Sequence, residues 1–295
     1  MQITAKFYNE YPFPQRTIQR VIDDAAEWVQ IFESMEYRQR LSGHIEILDL
    51  GCGTGSFANG LAHHYPNAKV TGINISKSSL DFAENQAKDM SLNNVSFLEA
   101  DIFDLPPRIA EKRYDLVVCR GVLHHTGRAK EGLDIFSELI KPSGIGLMSL
   151  YHYGRREVRS QRKVLTKHFG SEFSARLAGV KTIFPDEVNS YLSKIARKTD
   201  LSNETLKNIV LADRYCVPIE TYHGYFSTAS RLEKNGLVIK DMTPYNRKHR
   251  GRIETKIFNI FSILVGPRRA DWIGRDFAGY FGKREQFTIL ANKHN

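Results

Sequence analysis

The clearest chemical pattern in the chain is Ile47-Leu48-Asp49-Leu50-Gly51-Cys52-Gly53-Thr54-Gly55. An apolar run carries an aspartate and then breaks into three alternating glycines. Glycine accepts positive φ and lets a ligand come close to the backbone. A helix that starts after such a turn aims its free N–H groups at that ligand. A dinucleotide fingerprint requires G-x-G-x-x-G, and Ser56 stands where its third glycine would be, which argues against a nicotinamide or flavin cofactor. Two further groups can do chemistry. His124 and His125 follow the run Tyr114–Cys119, and Tyr151, His152 and Tyr153 follow the run Gly146–Leu150. Histidine suits proton removal near neutral pH. His125 is therefore the candidate base and Tyr151 the second candidate catalytic residue, with packing and pocket walls as their alternative roles. His223, His249 and His294 lack metal-ligand spacing, so no metal site is expected. No G-x-S-x-G elbow or Walker loop is present, which excludes the hydrolase and nucleotide-triphosphatase classes that use them.

These residues need a scaffold that gathers strand ends. Ile45–Leu50, Lys69–Ile75, Val95–Glu99, Tyr114–Cys119 and Gly146–Leu150 read as strands. Helices are expected at 17–41, Phe57–His64, Ser78–Met90 and Ala129–Ile140, the last stopping before Lys141-Pro142-Ser143-Gly144. Near-continuous apolar strands between helices predict an α/β fold: a doubly wound, mostly parallel sheet covered on both faces. In such sheets ligands bind at the carboxyl ends of the strands. After Tyr151 the pattern turns helical and basic through residue 214. Phe226–Lys234 is a further helix, and Leu237–Met242 and Gln286–Asn292 are two late strands. The expected organisation is an N-terminal lid and helix (1–44), a cofactor-binding core (45–150), a substrate-selecting helical insertion (151–225), and a last helix and hairpin (226–295) with an insert at 243–285.

The glycine segment resembles motif I of the class I S-adenosylmethionine-dependent methyltransferases. The similarity extends through Gly72-Ile73-Asn74-Ile75-Ser76, Glu99-Ala100-Asp101-Ile102, Tyr114-Asp115-Leu116-Val117-Val118 and Val122-Leu123-His124-His125. The resemblance implies a Rossmann-like sheet of seven strands with a C-terminal antiparallel strand, and S-adenosylmethionine as cofactor. It implies that Gly51, Cys52, Gly53 and Gly55 hold the methionine and ribose part. Asp49 would orient the loop or meet the amino group. Asp101 would bond the adenine amino group, with Ile102 and Ile75 flanking the ring, and Arg120 would lie near the sulfonium end. Loop capping and helix capping are the structural alternatives for Asp49 and Asp101. Tyr8-Asn9-Glu10-Tyr11-Pro12-Phe13-Pro14 is similar to an N-terminal element of some family members, and Tyr8, Tyr11, Arg16 and the two prolines read either as a lid over the cofactor or as a loose terminus docked onto the core. One position departs from the family: Asn74 stands where a carboxylate usually receives both ribose hydroxyls. An amide cannot offer two charged acceptors, so weaker cofactor binding is expected.

Composition bounds the acceptor. The chain has 295 residues and a net charge of +9. Residues 1–150 hold 15 basic and 19 acidic side chains, net −4, and residues 151–295 hold 27 and 14, net +13. A basic half attracts nucleic acid, an anionic membrane surface or an acidic small substrate. No aromatic RNA-binding signature accompanies the charge, so the expected acceptor is a small molecule or a lipid-like compound. The alternatives are a tRNA or rRNA methyltransferase and a catalytically silent binding protein. Arg247–Arg252 followed by the apolar run Ile257–Val265 suggests peripheral membrane contact. No run reaches the roughly 20 apolar residues of a transmembrane helix. Three cysteines without C-x-x-C spacing, and no signal-like N-terminus, lead to a cytoplasmic expectation.

Overall fold

The computed structural model describes residues 2–34, 41, 43–196, 201–243, 267–281 and 285–294. Its centre is a seven-stranded sheet. The strands are β1 (Glu46–Leu50), β2 (Lys69–Asn74), β3 (Val95–Glu99), β4 (Tyr114–Arg120), β5 (Ile140–Tyr151), β6 (Leu237–Thr243) and β7 (Gln286–Lys293). Their spatial order is β3-β2-β1-β4-β5-β7-β6. The first five are parallel, and β7 runs antiparallel between β5 and β6. The order reverses at β1, between β2 and β4, which is the switch point where open α/β sheets bind ligands. The expected Rossmann-like sheet with its antiparallel C-terminal strand is present.

Residues on alternate positions go to opposite faces of the sheet. On one face Leu48, Leu50, Ile73, Val117 and Cys119 join a core with Phe136, Tyr225 and Phe287. On the other, Ile47, Val70, Leu116, Val118 and Leu147 join a second core with Phe32 and Leu61. This double burial explains why the strands read as unbroken apolar runs. Helices α2 (Ile18–Ser34), α3 (Ser56–His64) and α4 (Lys77–Asp89) cover the early strands, and α5 is the single turn Pro107–Ala110. Next come α6 (Ala129–Glu138) and, beyond the insertion, α11 (Tyr225–Lys234) and α12 (Pro267–Phe281).

The insertion comprises α7 (Arg156–Phe169), α8 (Phe173–Ile183), α9 (Pro185–Ile195) and α10 (Glu204–Tyr215). It has its own core, built from Val158, Leu165, Phe173, Val180, Leu211 and Tyr215. Phe7, from the N-terminal helix α1 (Gln2–Glu10), is fully buried in that core. The first residues of the chain are thus fastened to a segment some 150 to 200 positions away.

Three local readings change. The fifth strand begins at Ile140, six residues before the expected Gly146, because Ile140 pairs with Tyr114 across a register shift. Lys141-Pro142-Ser143-Gly144 is therefore part of the strand rather than a loop, with Ser143 at φ 61°. Helix α2 is described only to Ser34, short of the expected residue 41. Helix α12 lies inside the expected insert 243–285, which carried no helix prediction. The basic stretch Arg247–Arg252 and the apolar run Ile257–Val265 lie outside the described residues.

The glycine turn has little free space. Gly55 sits at φ 73°, and a Cβ there would lie 2.5 Å from the Ala83 Cβ and 3.0 Å from the Phe97 ring. Gly55→Ala combines left-handed strain with overpacking, so it should lower unfolding free energy by about 2–4 kcal/mol in urea titration.

Candidate active site

The turn after β1 is held from below by Gly51 and Cys52, whose N–H groups both donate to the Ile73 carbonyl, at 2.8 and 2.9 Å. From above, the N-terminal segment straps across it. The Thr54 hydroxyl donates to the Pro14 carbonyl. A Cβ on Gly53 would meet the Phe13 carbonyl at 2.6 Å. Gln86 Nε2 donates to the Arg16 carbonyl at 2.8 Å, and the Asn9 side chain accepts from Ser76 Oγ at 2.9 Å and from Ser78 N–H at 3.1 Å. Strap, turn and strand ends enclose a cavity of about 270 Å³.

One end of the cavity is lined by the glycine turn and carries paired charges. Asp49 and Arg120 end β1 and β4, and Arg16 and Asp24 come from the strap and α2. Asp49 is 3% exposed and has no hydrogen-bond partner among the described residues. Burial raises its carboxyl to about 7 against the pull of Arg120. Arg120 stacks on Phe57 at 4.4 Å and on Trp28 at 5.4 Å, and its Nε has no partner. Burial also lowers the Arg16 guanidinium to about 10, helped by repulsion from Arg120 and Arg20, while Arg16 pairs with Asp24.

The other end is aromatic and polar, lined by Thr4, Tyr8, His125, Thr126, Tyr151 and Asp213. The two histidines differ in kind. His124 stacks on Tyr151 at 3.7 Å and its Nδ1 accepts the Tyr151 N–H at 3.2 Å, which makes it a packing residue. His125 places Nδ1 3.0 Å from the Ile219 carbonyl. A carbonyl only accepts, so Nδ1 carries the proton and Nε2 keeps a lone pair. Burial lowers the His125 ring to about 4, so it is neutral at physiological pH. Tyr8 donates to Asp213 Oδ1 at 3.1 Å, and burial raises Asp213 to about 6. Behind this end lies a charged cluster in which Arg155 bonds Glu285 at 2.7 Å, pairs with Glu220 at 3.4 Å and stacks on the Tyr151 ring at 4.0 Å.

The cavity collects most of the residues named from sequence: Asp49, Gly51, Cys52, Gly53, Asn74, Ile75, Ile102, Arg120, His125 and Tyr151. Gly55 faces Ala83 and Phe97 in the core instead. Asp101 lies beside the lining residue Ile102, and its Oδ1 accepts the Phe103 N–H at 2.9 Å, closing a turn. Tyr11 packs on Phe7, 5.3 Å between ring centres, in the core of the insertion; the lid residues at the cavity are Tyr8, Phe13, Pro14 and Arg16. His152 is tied to Asp276 at 3.2 Å, and Tyr153 points to solvent. Thr4, Asp24, Phe57, Thr126 and Gln286 line the cavity without having been named from sequence. Phe57 was within reach of sequence reasoning, since it follows the glycine turn directly. Thr4 and Asp24 carry no local signal, because only helix docking brings them to the cavity. No group of metal-ligating residues exists among the described residues.

Residues 41–209 match the methyltransferase-domain family. The chain belongs to that family. It is 26% identical over 255 residues to an uncharacterized protein of Synechococcus sp., covering 83% of this chain and 61% of that one. It is 28% identical over 205 residues to a ubiquinone biosynthesis O-methyltransferase of Alkalilimnicola ehrlichii, covering 65% and 77%. Its fold is similar to that of PKMT2 from Rickettsia typhi in complex with AdoHcy, with TM-score 0.64 and 19% identity, covering 96% of this chain and 55% of that one. The chain thus spans about three fifths of the Synechococcus relative and just over half of PKMT2.

The residues present fit the cofactor. The buried Asp49 carboxyl lines the cavity beside Gly51 and Gly53 and suits an ammonium group. Asp49 also links stability to pH. The folded chain keeps the Asp49 proton up to about pH 7, whereas an unfolded aspartate releases it near 3.8. In that window the folded form holds more protons, so Asp49 costs stability progressively as pH rises from 4 to 7. The full cost above pH 7 is on the order of 4 kcal/mol. Asp49→Asn should therefore raise the Tm of the ligand-free protein at pH 8, and this gain should shrink as pH falls towards 4.

Proposed function

We propose that this chain transfers the methyl group of S-adenosylmethionine to a hydroxyl of a small, lipid-like acceptor, by in-line displacement. The observation that carries the reading is the fixed tautomer of His125: a neutral ring with an unprotonated Nε2, lining the same cavity as the glycine turn. The enclosed, largely aromatic acceptor end supports a small acceptor. The O-methyltransferase named among the relatives supports oxygen as the atom methylated.

The bound cofactor supplies an electrophilic methyl group on a sulfonium. The chain does the rest. Asp49 would receive the ammonium of the methionyl part, and Arg16 and Arg120 its carboxylate. Ile75 and Ile102 would hold the adenine, and Asn74 the ribose. Tyr8, Tyr151 and Asp213 wall the acceptor and keep water out, so that positioning supplies much of the rate. The acceptor oxygen would receive the methyl group of the bound cofactor, and His125 Nε2 would take the hydroxyl proton. The Ile219 carbonyl holds the ring in the tautomer that can take it.

Incubation of the full chain with methyl-labelled cofactor and fractionated cell extract tests the class of acceptor. Label in the small-molecule or lipid fraction supports the reading, and label confined to RNA or protein overturns it. His125→Gln should lower transfer by about 10²–10⁴-fold while leaving S-adenosylhomocysteine binding within about twofold by calorimetry. Asn74 already spends its Oδ1 on the Ile75 N–H at 2.8 Å. Asn74→Asp keeps that bond and adds a charged acceptor for the ribose hydroxyls, so cofactor affinity should rise by about tenfold.

A further inference from the structure

Helix α7 carries a row of unneutralised cations. Arg156, Arg159, Lys163 and Lys167 fall within about 80° of one another around the helix and span about 16 Å. Arg159, Lys163 and Lys167 are exposed, and none makes an ion pair among the described residues. Like charges four residues apart weaken a helix, so nothing local favours the row. At its N-terminal end stand two exposed tyrosines, Tyr153 at 47% and Tyr280 at 43%, with the Arg156 guanidinium 5.0 Å from the Tyr280 ring centre. Tyr153 lies two residues beyond Tyr151, which lines the cavity.

We propose that this face of α7, with Tyr153 and Tyr280, is a docking surface for an anionic lipid bilayer. A straight row of cations on one convex helix matches a plane of lipid phosphates. Tyrosine places an apolar ring and a polar hydroxyl at the same boundary. A nucleic acid would find cations here but no groove and no stacked aromatic platform for its bases. The surface adjoins the strand end that lines the cavity, which brings the cavity to the layer where a lipid-like acceptor resides. The membrane contact suggested by the sequence at residues 247–265 lies outside the described residues, and the surface proposed on α7 is a separate one. The docking proposal stands whether or not the acceptor reading does.

Co-sedimentation of the full chain with vesicles at low salt tests it. Binding to phosphatidylcholine vesicles containing phosphatidylglycerol, with none to phosphatidylcholine alone, is expected. The triple variant Arg159→Glu, Lys163→Glu, Lys167→Glu should lose at least about tenfold in affinity. Its circular dichroism and S-adenosylhomocysteine binding should stay unchanged, and the milder Arg159→Gln, Lys163→Gln, Lys167→Gln variant should show the same direction. Absence of binding to anionic vesicles overturns the proposal. So does full binding by both variants, and so does displacement of the vesicles by equimolar tRNA. Loss of S-adenosylhomocysteine binding by the unmodified chain would count against the cofactor reading and leave docking untouched.

Discussion

Three glycines let three distant parts of the chain converge on the end of β1. A Cβ on Gly51 would strike Val122 beyond β4, one on Gly53 would strike the Phe13 carbonyl of the strap, and one on Gly55 would strike Ala83 of α4. Each approach is near 2.5 Å from an atom that does not exist, so backbone alone can occupy the position. All three glycines hold positive φ, which other residues adopt only at a cost. Cavity, strap and helix start all follow from this crowding.

The cavity is also an electrostatic compromise. Its lining buries the Asp49 carboxyl beside Arg120, and also a neutral histidine and a carboxyl held by tyrosine. These groups pull in opposite directions with pH. Burial favours the protonated form of Asp49 and Asp213 and the unprotonated form of His125. A ligand that brings an ammonium to Asp49 relieves the first of these costs, so part of the stability missing from the free protein returns on binding.

The N-terminal helix joins the two ends. Phe7 anchors it in the core of the insertion, and the next residue, Tyr8, reaches Asp213 in the cavity. Asn9, two residues further along, fixes it to the start of α4. Tyr8 at the cavity and the strap over the glycine turn are therefore successive parts of one segment, so displacing either disturbs the other.

The parallel sheet, its glycine turn and most of the cofactor end were legible in the residues themselves. Their signals are local: apolar runs set by burial on both faces, and glycines where the backbone must turn. Sequence reading named His125 as the candidate base but not the contacts that set it apart from His124: a tyrosine ring and N–H for His124, the Ile219 carbonyl for His125. Nor could it find Thr4 or Asp24, place Gly55 in the core, or move Tyr11 away from the cavity. Those outcomes depend on how helices dock across more than a hundred residues, and no spacing within a segment encodes the direction in which its side chains finally face.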